Sequence, residues 1–519
     1  AAGMITFPDP SVPDYPVNAL SRPDQIHWSS IPVESDDGQP GTFAFMISSR
    51  QALELRNLIE AEGPVKARVD IESEFGSQEE AWQVMVEARI KGTEINNQDI
   101  VLTAHMQEEK FSANDDSSGC ANLLEIGRAL QKLIREKRIE APRRNILFWW
   151  VTEISSQRQY FADHPDTHKN MLININQDMV GANQAQDVMR VQNMTLVPFS
   201  RFHFLNDVAE SVLNFVIEGN RANLAVRQAG NSKLYPRAIF SKLGTRHRYN
   251  AAAVPFHNNS DHMTFNEAPI GVPGISFTNW PDNYIHSSDD DLWNVDPTQL
   301  QRNAFVVAMM SYVIAAADGS SISEISAHVA GRGMERIGAD YRLALSWIAE
   351  DQSGYFEAAH QVKEAVSRER LAVNSLKQLD GTKNHSAVIQ GYMQQLHMAE
   401  SNLLGGLKNQ FRAHYGTPPR EGEQLSDAEK KLEALIPVIK GNAEDFLTGR
   451  RDIKRVDGLH GIMAFEVICF IDGERSGLDI FRAVRAEAKR AGVHYYGEVD
   501  AEDVYQYLKN AAETGLVSF

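Results

Sequence analysis

The feature that most constrains the fold is a series of short apolar runs separated by helical patterns in the middle of the chain. The runs are "AWQVMVEARI", "DIVLTAHM", "NILFWWVTE", "MLININQDMVG" and "VPGISFTNW". Apolar runs of this length that alternate with amphipathic helices are typical of strands buried on both faces of a largely parallel sheet. We therefore predict an α/β fold over about residues 76–319, with a mostly parallel mixed sheet and helices on both faces.

The segments on either side of this region have different patterns. Residues 1–75, rich in Pro and Asp, predict a small β-rich module that closes with the helix "SSRQALELRNLIEAE" and the strand "PVKARVDIES". Residues 320–434 predict helices, with breaks at "LDGTKN" and "YGTPPREGEQ". Because their apolar positions recur at helical spacing, we expect this segment to bury apolar stripes between subunits of a homodimer or larger homo-oligomer.

The last segment, residues 435–519, contains the helix "SGLDIFRAVRAEAKRAG" and then "DAEDVYQYLKNAAETGLVSF", a helix that runs into a short strand. This order resembles a winged-helix module. The chain therefore divides, by its sequence pattern, into a β-rich module, an α/β domain, a helical segment and a winged-helix-like module.

Charge and cysteine content limit the classes of partner. The chain of 519 residues has a formal net charge of -18 and a pI near 5.4, which disfavours nucleic-acid and anionic-membrane partners but is compatible with a cationic ligand. We find no apolar run of about 18 residues, the length that a membrane span needs. Its two cysteines, Cys120 and Cys469, cannot form a disulfide framework, and we expect both to be buried free thiols.

Polar side chains follow the predicted strands at their carboxyl ends. His105 ends "IVLTA", Glu153 ends "ILFWWVT", Asp178 ends "LININQ", and His286 follows "ISFTNWPDNY". Ligands bind at this edge of open α/β sheets. Asp115 joins them from the start of a predicted helix, where the helix dipole favours negative charge. Two imidazoles and two carboxylates form a ligand set that zinc accepts, and one further glutamate is free to act as a base.

Each of these residues also has an ordinary structural explanation when it is considered alone. Asp115 is compatible with a helix cap, Asp178 with a loop start, and Glu153 with a solvated strand end. A single histidine in a loop is usually a surface or core group. The charged runs at Glu108–Lys110 and Asp289–Asp291 are typical of solvated turns. The joint occurrence of the two histidines, Asp115, Asp178 and Glu153 at one predicted sheet edge nevertheless favours a metal site.

Together these stretches resemble the zinc aminopeptidases that include bacterial leucyl aminopeptidase and aminopeptidase Y, with glutamate carboxypeptidase and glutaminyl cyclase as relatives. The resemblance is carried, in the order of the family, by "AHMQ", "ANDDSSGCANLLEIGRAL", "LFWWVTE", "NQDMVG", "SDHMTF", "GVPGISF" and "YIHSSDDD". It implies that His105, Asp115 and Asp178 bind one zinc ion, that Asp115 bridges to a second ion held with His286, and that Glu153 is the general base.

The chain departs from the pattern of that family at two positions. Gln107 stands where the family has an aspartate that orients the imidazole. We therefore expect Gln107 and Asp116 to orient the metal ligands without binding the metal themselves. Ile154 stands where the family has a second glutamate, before a shortened "SSQRQYF" loop. We therefore predict one tightly bound zinc and a second site that is weak or empty. In the alternative assignment, Glu153 becomes a metal ligand and no base remains.

These observations predict a metal-dependent exopeptidase, an aminopeptidase that hydrolyses peptides with zinc-activated water. Two alternatives come from other classes. The loss of the second glutamate is compatible with a catalytically inactive scaffold that binds peptides or partners. The winged-helix-like tail is compatible with a nucleic-acid-binding regulator, although its basic residues alternate with acidic ones, as on a solvated helix face. The basic residues are Arg475, Arg482, Arg485, Lys489 and Arg490, and the acidic ones are Asp472, Glu474, Asp479 and Glu487.

The first 75 residues also resemble part of a protease-associated domain, with "AAGMITF" similar to the middle of one. The resemblance favours an extracytoplasmic location, and we expect any targeting signal to precede Ala1.

Overall fold

The structure is a computed structural model that describes residues 3–7, 22–28, 42–72, 84–106, 112–186, 190–229, 238–379 and 386–519, with the backbone alone for 222–229. Its strands are β1 (Gly3–Thr6), β2 (Phe43–Met46), β3 (Val86–Ile90), β4 (Ile95–His105), β5 (Arg144–Val151), β6 (Met171–Gln177), β7 (Val191–Thr195), β8 (Ala251–Val254), β9 (Gly274–Trp280), β10 (Val438–Ile439) and β11 (Val517–Ser518).

The α-helices in the same residues are α1 (Ser49–Glu62), α2 (Ser117–Arg135), α3 (Ser155–Asp163), α4 (Phe204–Ala229), α5 (His262–Asn266), α6 (Pro297–Ala316), α7 (Gly319–Glu350), α8 (Tyr355–Ser375), α9 (Ser386–Tyr415), α10 (Asp427–Glu433), α11 (Ala443–Gly449), α12 (Gly461–Cys469), α13 (Gly477–Ala491), α14 (Val493–Tyr496) and α15 (Ala501–Glu513). None of the described helices combines the length and apolar character that a membrane crossing requires.

The central sheet has seven strands in the order β3-β5-β4-β6-β9-β7-β8. Strand β4 pairs in parallel with both β5 and β6, β6 pairs in parallel with β9, and β7 with β8. Strand β3 is antiparallel to β5, and β7 is antiparallel to β9. The predicted mixed and mostly parallel sheet is confirmed. Strands β7 and β8, "VQNMT" and "AAAV", were not predicted because neither is a long apolar run.

Helices cover both faces of the sheet, as predicted. Successive residues of a strand point to opposite faces. Ile100 and Leu102 of β4 therefore belong to the apolar core under α2, α4 and α6. Val101, with Trp149 of β5, belongs to the core on the other face, which α3, α5 and α11 close. Strand β4 is thus buried on both faces, which explains its continuous apolar run.

Helix α2 starts directly after Asp115 and Asp116, and its sequence explains where it begins and which face it buries. Asp116 is its N-cap, and the carboxylate of this residue accepts the backbone N–H of Gly119 at 3.0 Å. Leu123, Ile126 and Leu130 recur at helical spacing and are buried against the sheet. The capping residue is therefore Asp116, and the neighbouring Asp115 remains available for the site.

At the N-terminal end, β1 and β2 form a parallel pair and α1 follows, as its sequence predicted. The prediction of a strand at "PVKARVDIES" is wrong for its described part, because residues 64–72 have no strand pairing. The resemblance of this region to a protease-associated domain stays a prediction.

The helical segment is built from α7, α8 and α9, which contact one another, and α7 also packs on α4. Ile322 and Val329 of α7 and Val373 of α8 belong to the same apolar core as the helices on the sheet. The apolar stripes are therefore buried within the chain. Assembly into a homodimer or larger homo-oligomer stays a prediction. The break at "YGTPPREGEQ" falls between α9 and α10, whereas all but the first residue of "LDGTKN" lies outside the described residues.

In the C-terminal region, α12, α13 and α15 surround a second apolar core, and the short strands β10 and β11 pair in an antiparallel sense. Helices α13 and α15 and strand β11 occupy the predicted places. Helix α11 of this region contacts α3 of the α/β domain. Its resemblance to a winged-helix module stays a prediction. Cys120 and Cys469 are both free thiols, and Cys469 is buried, whereas Cys120 is partly exposed.

Candidate metal centre

Three predicted site residues meet at the carboxyl edge of the sheet. His105 ends β4, Glu153 follows β5 by two residues, and Asp178 directly follows β6. Because β4 lies between β5 and β6 and runs parallel to both, their carboxyl ends are neighbours. One ligand atom from each of His105, Glu153 and Asp178 lies within 4.8 Å of the others. The structure thus brings an imidazole and two carboxylates together.

The separation of the ligand atoms fits a metal ion better than direct hydrogen bonds. His105 Nε2 lies 3.5 Å from Asp115 Oδ1 and 3.6 Å from Asp178 Oδ2, and all three side chains are buried. Both distances exceed the usual N–H···O range of about 2.7–3.2 Å. Two ligands on a tetrahedral zinc, each about 2.0–2.2 Å from it, lie roughly 3.3–3.6 Å apart. The residues present therefore fit zinc.

Asp115 stands between the two predicted imidazoles. Its Oδ1 faces His105, and its Oδ2 lies 3.1 Å from His286 Nε2. His286 is 47% exposed, whereas His105 is buried. Its backbone φ is +54°, a left-handed conformation that is uncommon for residues other than glycine. His286 therefore lies on the solvent-exposed side of the site, next to Asp115.

A segment that sequence reasoning missed supports His286. The ring of Trp28 lies 4.1 Å from the imidazole of His286, measured between ring centroids. The backbone N–H of Trp28 also donates to the carbonyl oxygen of His286 at 2.9 Å. Nothing in the sequence pattern linked these residues, because about 250 positions separate them and neither lies in a periodic segment.

Asp116 holds the elements that carry the ligands. Its carboxylate accepts the backbone N–H groups of His105 at 3.1 Å, Gly119 at 3.0 Å and Met179 at 3.1 Å. It thereby joins the end of β4, the start of α2 and the turn after β6. The second supporting residue that we predicted, Gln107, lies outside the described residues.

Asp290 is a site residue that sequence reasoning assigned wrongly. Its Oδ1 accepts the backbone N–H of Asn114 at 3.0 Å and its Oδ2 accepts that of Asp115 at 2.9 Å. The side chain is buried, and this burial raises the pKa of Asp290 to about 7. The interpretation of Asp289–Asp291 as a solvated turn is therefore wrong for Asp290, which fixes the loop that presents Asp115.

The turn at Glu153 and Ile154 has an unusual backbone. Ile154 has a φ of +58°, a genuine outlier for a β-branched side chain, and its N–H donates to Asp261 Oδ1 at 2.8 Å. Asp261 is fully buried. Strained backbone of this kind persists only where its surroundings hold it in place. Asp261, which belongs to the quoted stretch "SDHMTF" but had no predicted role, is the residue that does so.

The pKa values of the carboxyl groups differ from their ordinary values. Burial raises the pKa of Glu153 to about 8, and the charges of Asp178, Asp261 and Asp115 act in the same direction. Glu153 is therefore not a solvated strand end. Although burial alone would raise the pKa of Asp178, the adjacent His105 holds it below its ordinary value. A buried concentration of carboxylates around an imidazole is electrostatically suited to a cation.

Part of the chain matches a known sequence profile, and the chain has similar proteins among solved structures. Residues 85–311 match the sequence profile described as peptidase family M28. The chain is similar to the structure of BSAP, a zinc aminopeptidase from Bacillus subtilis, with 18% identity over 44% of this chain and 49% of that one and a TM-score of 0.30. It is similar to a peptidase M28 precursor from Shewanella amazonensis SB2B, with 16% identity over 61% of both chains and a TM-score of 0.38.

The chain is also similar to a glutaminyl cyclase from Macrostomum lignano, with 16% identity over 44% of this chain and 71% of that one and a TM-score of 0.32. The matches span less than two thirds of the aminopeptidase and of the peptidase precursor. Comparison with curated proteins gave no significant match. The profile match and the residues gathered at the sheet edge together support a metal-dependent peptidase, whose α/β domain over residues 85–311 resembles those of peptidase family M28.

Proposed function

We propose that the chain is a zinc-dependent aminopeptidase that removes N-terminal residues from small peptides. The observation that carries the proposal is the position of Glu153 beside His105 and Asp178, where ligand atoms of the three residues lie within 4.8 Å. A carboxylate next to a set of metal ligands is the arrangement in which a general base acts on water. The profile match to a peptidase family supports peptide bonds as the target.

Zinc is the proposed cofactor, held by His105, Asp115 and Asp178. When bound, zinc supplies Lewis acidity, which acidifies water and polarises a carbonyl group. A second ion would find only Asp115 and His286, because the side chain of Ile154 has no ligand atom. We therefore propose one tightly held zinc and a second site that is weak or empty.

The chain itself supplies proton transfer. Glu153 accepts the proton of the attacking water at a carboxylate oxygen, and the water oxygen forms a bond to the scissile carbonyl carbon. When the carbon–nitrogen bond breaks, Glu153 passes the same proton to the nitrogen of the leaving amine. The Glu153 carboxylate is held for this task by the turn at Ile154, whose N–H is bound by Asp261. A base fixed in this way loses little entropy when the substrate binds.

The charge of the site supports an aminopeptidase. Asp115, Asp178, Glu153 and Asp261 place four carboxyl groups close enough to influence one another electrostatically. With one divalent ion bound, some of this negative charge remains to attract the free α-ammonium group of a peptide. A peptide with a blocked N-terminus lacks that positive charge and is expected to be a poorer substrate.

The test combines metal analysis with a substrate panel. Purified protein is analysed for zinc by mass spectrometry and is then assayed with aminoacyl and dipeptide substrates, each with a free and an acetylated N-terminus. We expect about one zinc per chain and hydrolysis of the free forms. Bound zinc without turnover of any substrate would support the catalytically inactive scaffold, and faster hydrolysis of the acetylated forms would contradict an aminopeptidase.

We also propose an extracytoplasmic location, which the resemblance of residues 1–75 to a protease-associated domain supports. Fractionation of cells that produce the protein, with detection by antibody, tests this location. Recovery of the mature chain from the cytoplasmic fraction alone would contradict it.

A further inference from the structure

A cavity of about 910 Å³ lies between the α/β domain and the C-terminal region. Arginines line it from both sides: Arg158 comes from α3, and Arg450, Arg451 and Arg455 come from the segment between α11 and α12. The chain as a whole carries a net charge of -18, so this concentration of positive charge contrasts with the rest of the molecule.

Acidic neighbours neutralise the cavity only in part, although one acid, Asp457, also lines it. Arg158 and Arg450 share one carboxylate, that of the buried Glu267; Arg158 Nη2 lies 3.3 Å from its Oε1, and Arg450 Nη1 contacts the same oxygen. Arg158 Nε is buried and has no hydrogen-bond partner among the described residues. Within the described part of the chain, no carboxylate lies within 4 Å of a guanidinium nitrogen of Arg451 or Arg455. Four guanidinium groups thus face two carboxylates, those of Glu267 and Asp457, and the cavity keeps an excess of positive charge.

The cavity adjoins the metal centre through two short connections. The backbone N–H of Arg158 donates to the carbonyl oxygen of Ile154 at 3.1 Å, so Arg158 lies one helical turn after the residue that follows Glu153. Asn258, which also lines the cavity, precedes Asp261 by three residues. One wall of the cavity is therefore carried by the same two chain segments that carry Glu153 and Asp261.

We propose that this cavity binds a carboxylate group of the peptide substrate and gives the site a preference for peptides with negative charge remote from the scissile bond. The guanidinium groups match a carboxylate in planar, bidentate geometry, which ordinary surface lysines do not. Two sources of that carboxylate share this chemistry, the C-terminus of a short peptide and the side chain of an Asp or Glu. The catalytic part of the inference rests on the proposed function, whereas the binding part does not.

The first experiment measures hydrolysis of four peptides that share an N-terminal residue and length. They combine a free or amidated C-terminus with Glu or Gln at the remote position. The test variant is the double substitution Arg451→Gln and Arg455→Gln, at two exposed positions. The matched control is Lys454→Gln, which removes an exposed cation from the same segment but does not line the cavity.

We expect the wild type to prefer a peptide that carries a carboxylate. For that peptide, the double variant is expected to lose about tenfold or more in kcat/KM through a higher KM, because it loses a hydrogen bond to a charged group. Hydrolysis of the amidated Gln peptide is expected to stay unchanged, and the Lys454→Gln control to behave as wild type. Comparison of the free-acid Gln peptide with the amidated Glu peptide identifies the source of the carboxylate.

The second experiment separates binding from catalysis. Fluorescence anisotropy is measured with labelled acidic and neutral peptides on the full chain carrying Glu153→Gln, with and without the arginine substitutions. One outcome separates the two proposals. If the acidic peptide binds selectively and the double variant loses this binding, but the wild type hydrolyses no peptide, the proposed function is refuted and the cavity assignment stands. A wild type without charge preference, or a preference that the double variant keeps, would overturn the inference.

Discussion

The backbone N–H of Ile154 donates a 2.8 Å hydrogen bond to the carboxylate of Asp261. This bond joins the turn after β5 to the segment before α5, two parts of the chain that are 107 residues apart. It holds a β-branched residue at a positive φ directly after the proposed base. The position of Glu153 therefore depends on a carboxylate that does not itself need to contact the substrate.

Asp261→Ala is expected to reduce kcat by about tenfold or more, because it leaves the N–H of Ile154 without its acceptor. A buried donor without a partner destabilises the turn that positions Glu153 by roughly 1–3 kcal/mol. Asp261→Asn keeps an oxygen at the same place and is expected to retain more activity than the alanine variant. Steady-state kinetics with zinc analysis checks both. Equal losses in the two variants would show that the charge of Asp261, and not the hydrogen bond, is what matters.

Glu153→Gln is expected to lower the rate of hydrolysis by about a hundredfold to ten-thousandfold, because the amide cannot accept the proton of water. The bound zinc is expected to remain, since His105, Asp115 and Asp178 are unchanged. Metal analysis of the purified variant accompanies the kinetics. Loss of zinc together with activity would instead identify Glu153 as a ligand.

Metal content is expected to respond differently to the two histidines. His105→Ala removes a ligand that faces both Asp115 and Asp178 and is expected to abolish tight zinc binding. His286→Ala removes a group that faces Asp115 alone and is expected to retain the metal while it impairs catalysis. Titration of the metal-free variants with zinc measures both affinities.

Anomalous scattering at the zinc edge provides the control for this prediction. One strong peak at His105 is expected in the wild type, and Ile154→Glu tests whether a carboxylate at this position creates a second. Two fully occupied peaks within about 4 Å of each other in the wild type, the spacing of two-metal sites, would contradict the single-zinc proposal.

The interface of the C-terminal region contains a pair of buried acids that predicts pH-dependent stability. Glu466 of α12 accepts the N–H and Oγ–H of Ser200 at 2.9 and 2.6 Å, and Glu487 of α13 accepts the N–H of Phe199 at 3.3 Å. Burial, and then the charge of Glu466, raises the pKa of Glu487 well above its ordinary value, whereas Arg368 opposes this shift. The folded chain thus keeps a proton that the unfolded chain releases above about pH 4.3.

Because the folded state binds the extra proton, the free energy of unfolding is expected to decrease as pH rises above that value. Glu487→Gln replaces the protonated acid by a neutral amide of similar shape and is expected to flatten this dependence. Urea unfolding between pH 5 and pH 8 measures the slopes, with Glu513→Gln, at an exposed position of α15, as control. Identical slopes in wild type and Glu487→Gln would contradict the prediction.

The C-terminal region is not expected to bind nucleic acid. Four basic side chains of its predicted helix face contact acids: Arg475 contacts Asp472, Arg482 contacts Glu423, Arg485 contacts Glu357, and Lys489 contacts Glu498. Paired cations release few phosphate counterions, which are the main source of non-specific affinity. Titration of labelled duplex and single-stranded DNA at low salt is expected to show no saturable binding. Tight binding that weakens steeply with salt would favour the nucleic-acid regulator.

The elements that could be predicted are those whose burial produces a recognisable pattern of apolar residues in the sequence. Strands β4, β5, β6 and β9 are apolar on both faces and were found from the sequence. Strand β7 was not, because Gln192 and its neighbours satisfy buried polar contacts instead: Gln192 Oε1 accepts from Asn279 and Asn303. A polar network of that kind has no periodic signal.

The same distinction applies to the site. His105, Glu153 and Asp178 were predictable because adjacent parallel strands bring their carboxyl ends together. Asp290 and Asp261 were not, because each acts on the backbone of a loop that is distant in sequence, and any acidic residue in a turn looks the same in a single sequence. The arginine-lined cavity was missed for a similar reason, since its two sides come from regions about 300 residues apart.

The contact of Trp28 with His286 and the apolar residues that α7 and α8 contribute to the sheet core limit where this chain can be divided. A fragment confined to residues 85–311 would lack the ring that covers His286 and would expose the surface of α4 that α7 covers. Exchange of the flanking regions between related proteins would therefore alter the interior of the α/β domain. In this chain the flanking regions form part of the packed interior, and truncation or recombination at their borders is expected to reduce solubility by exposing apolar surface.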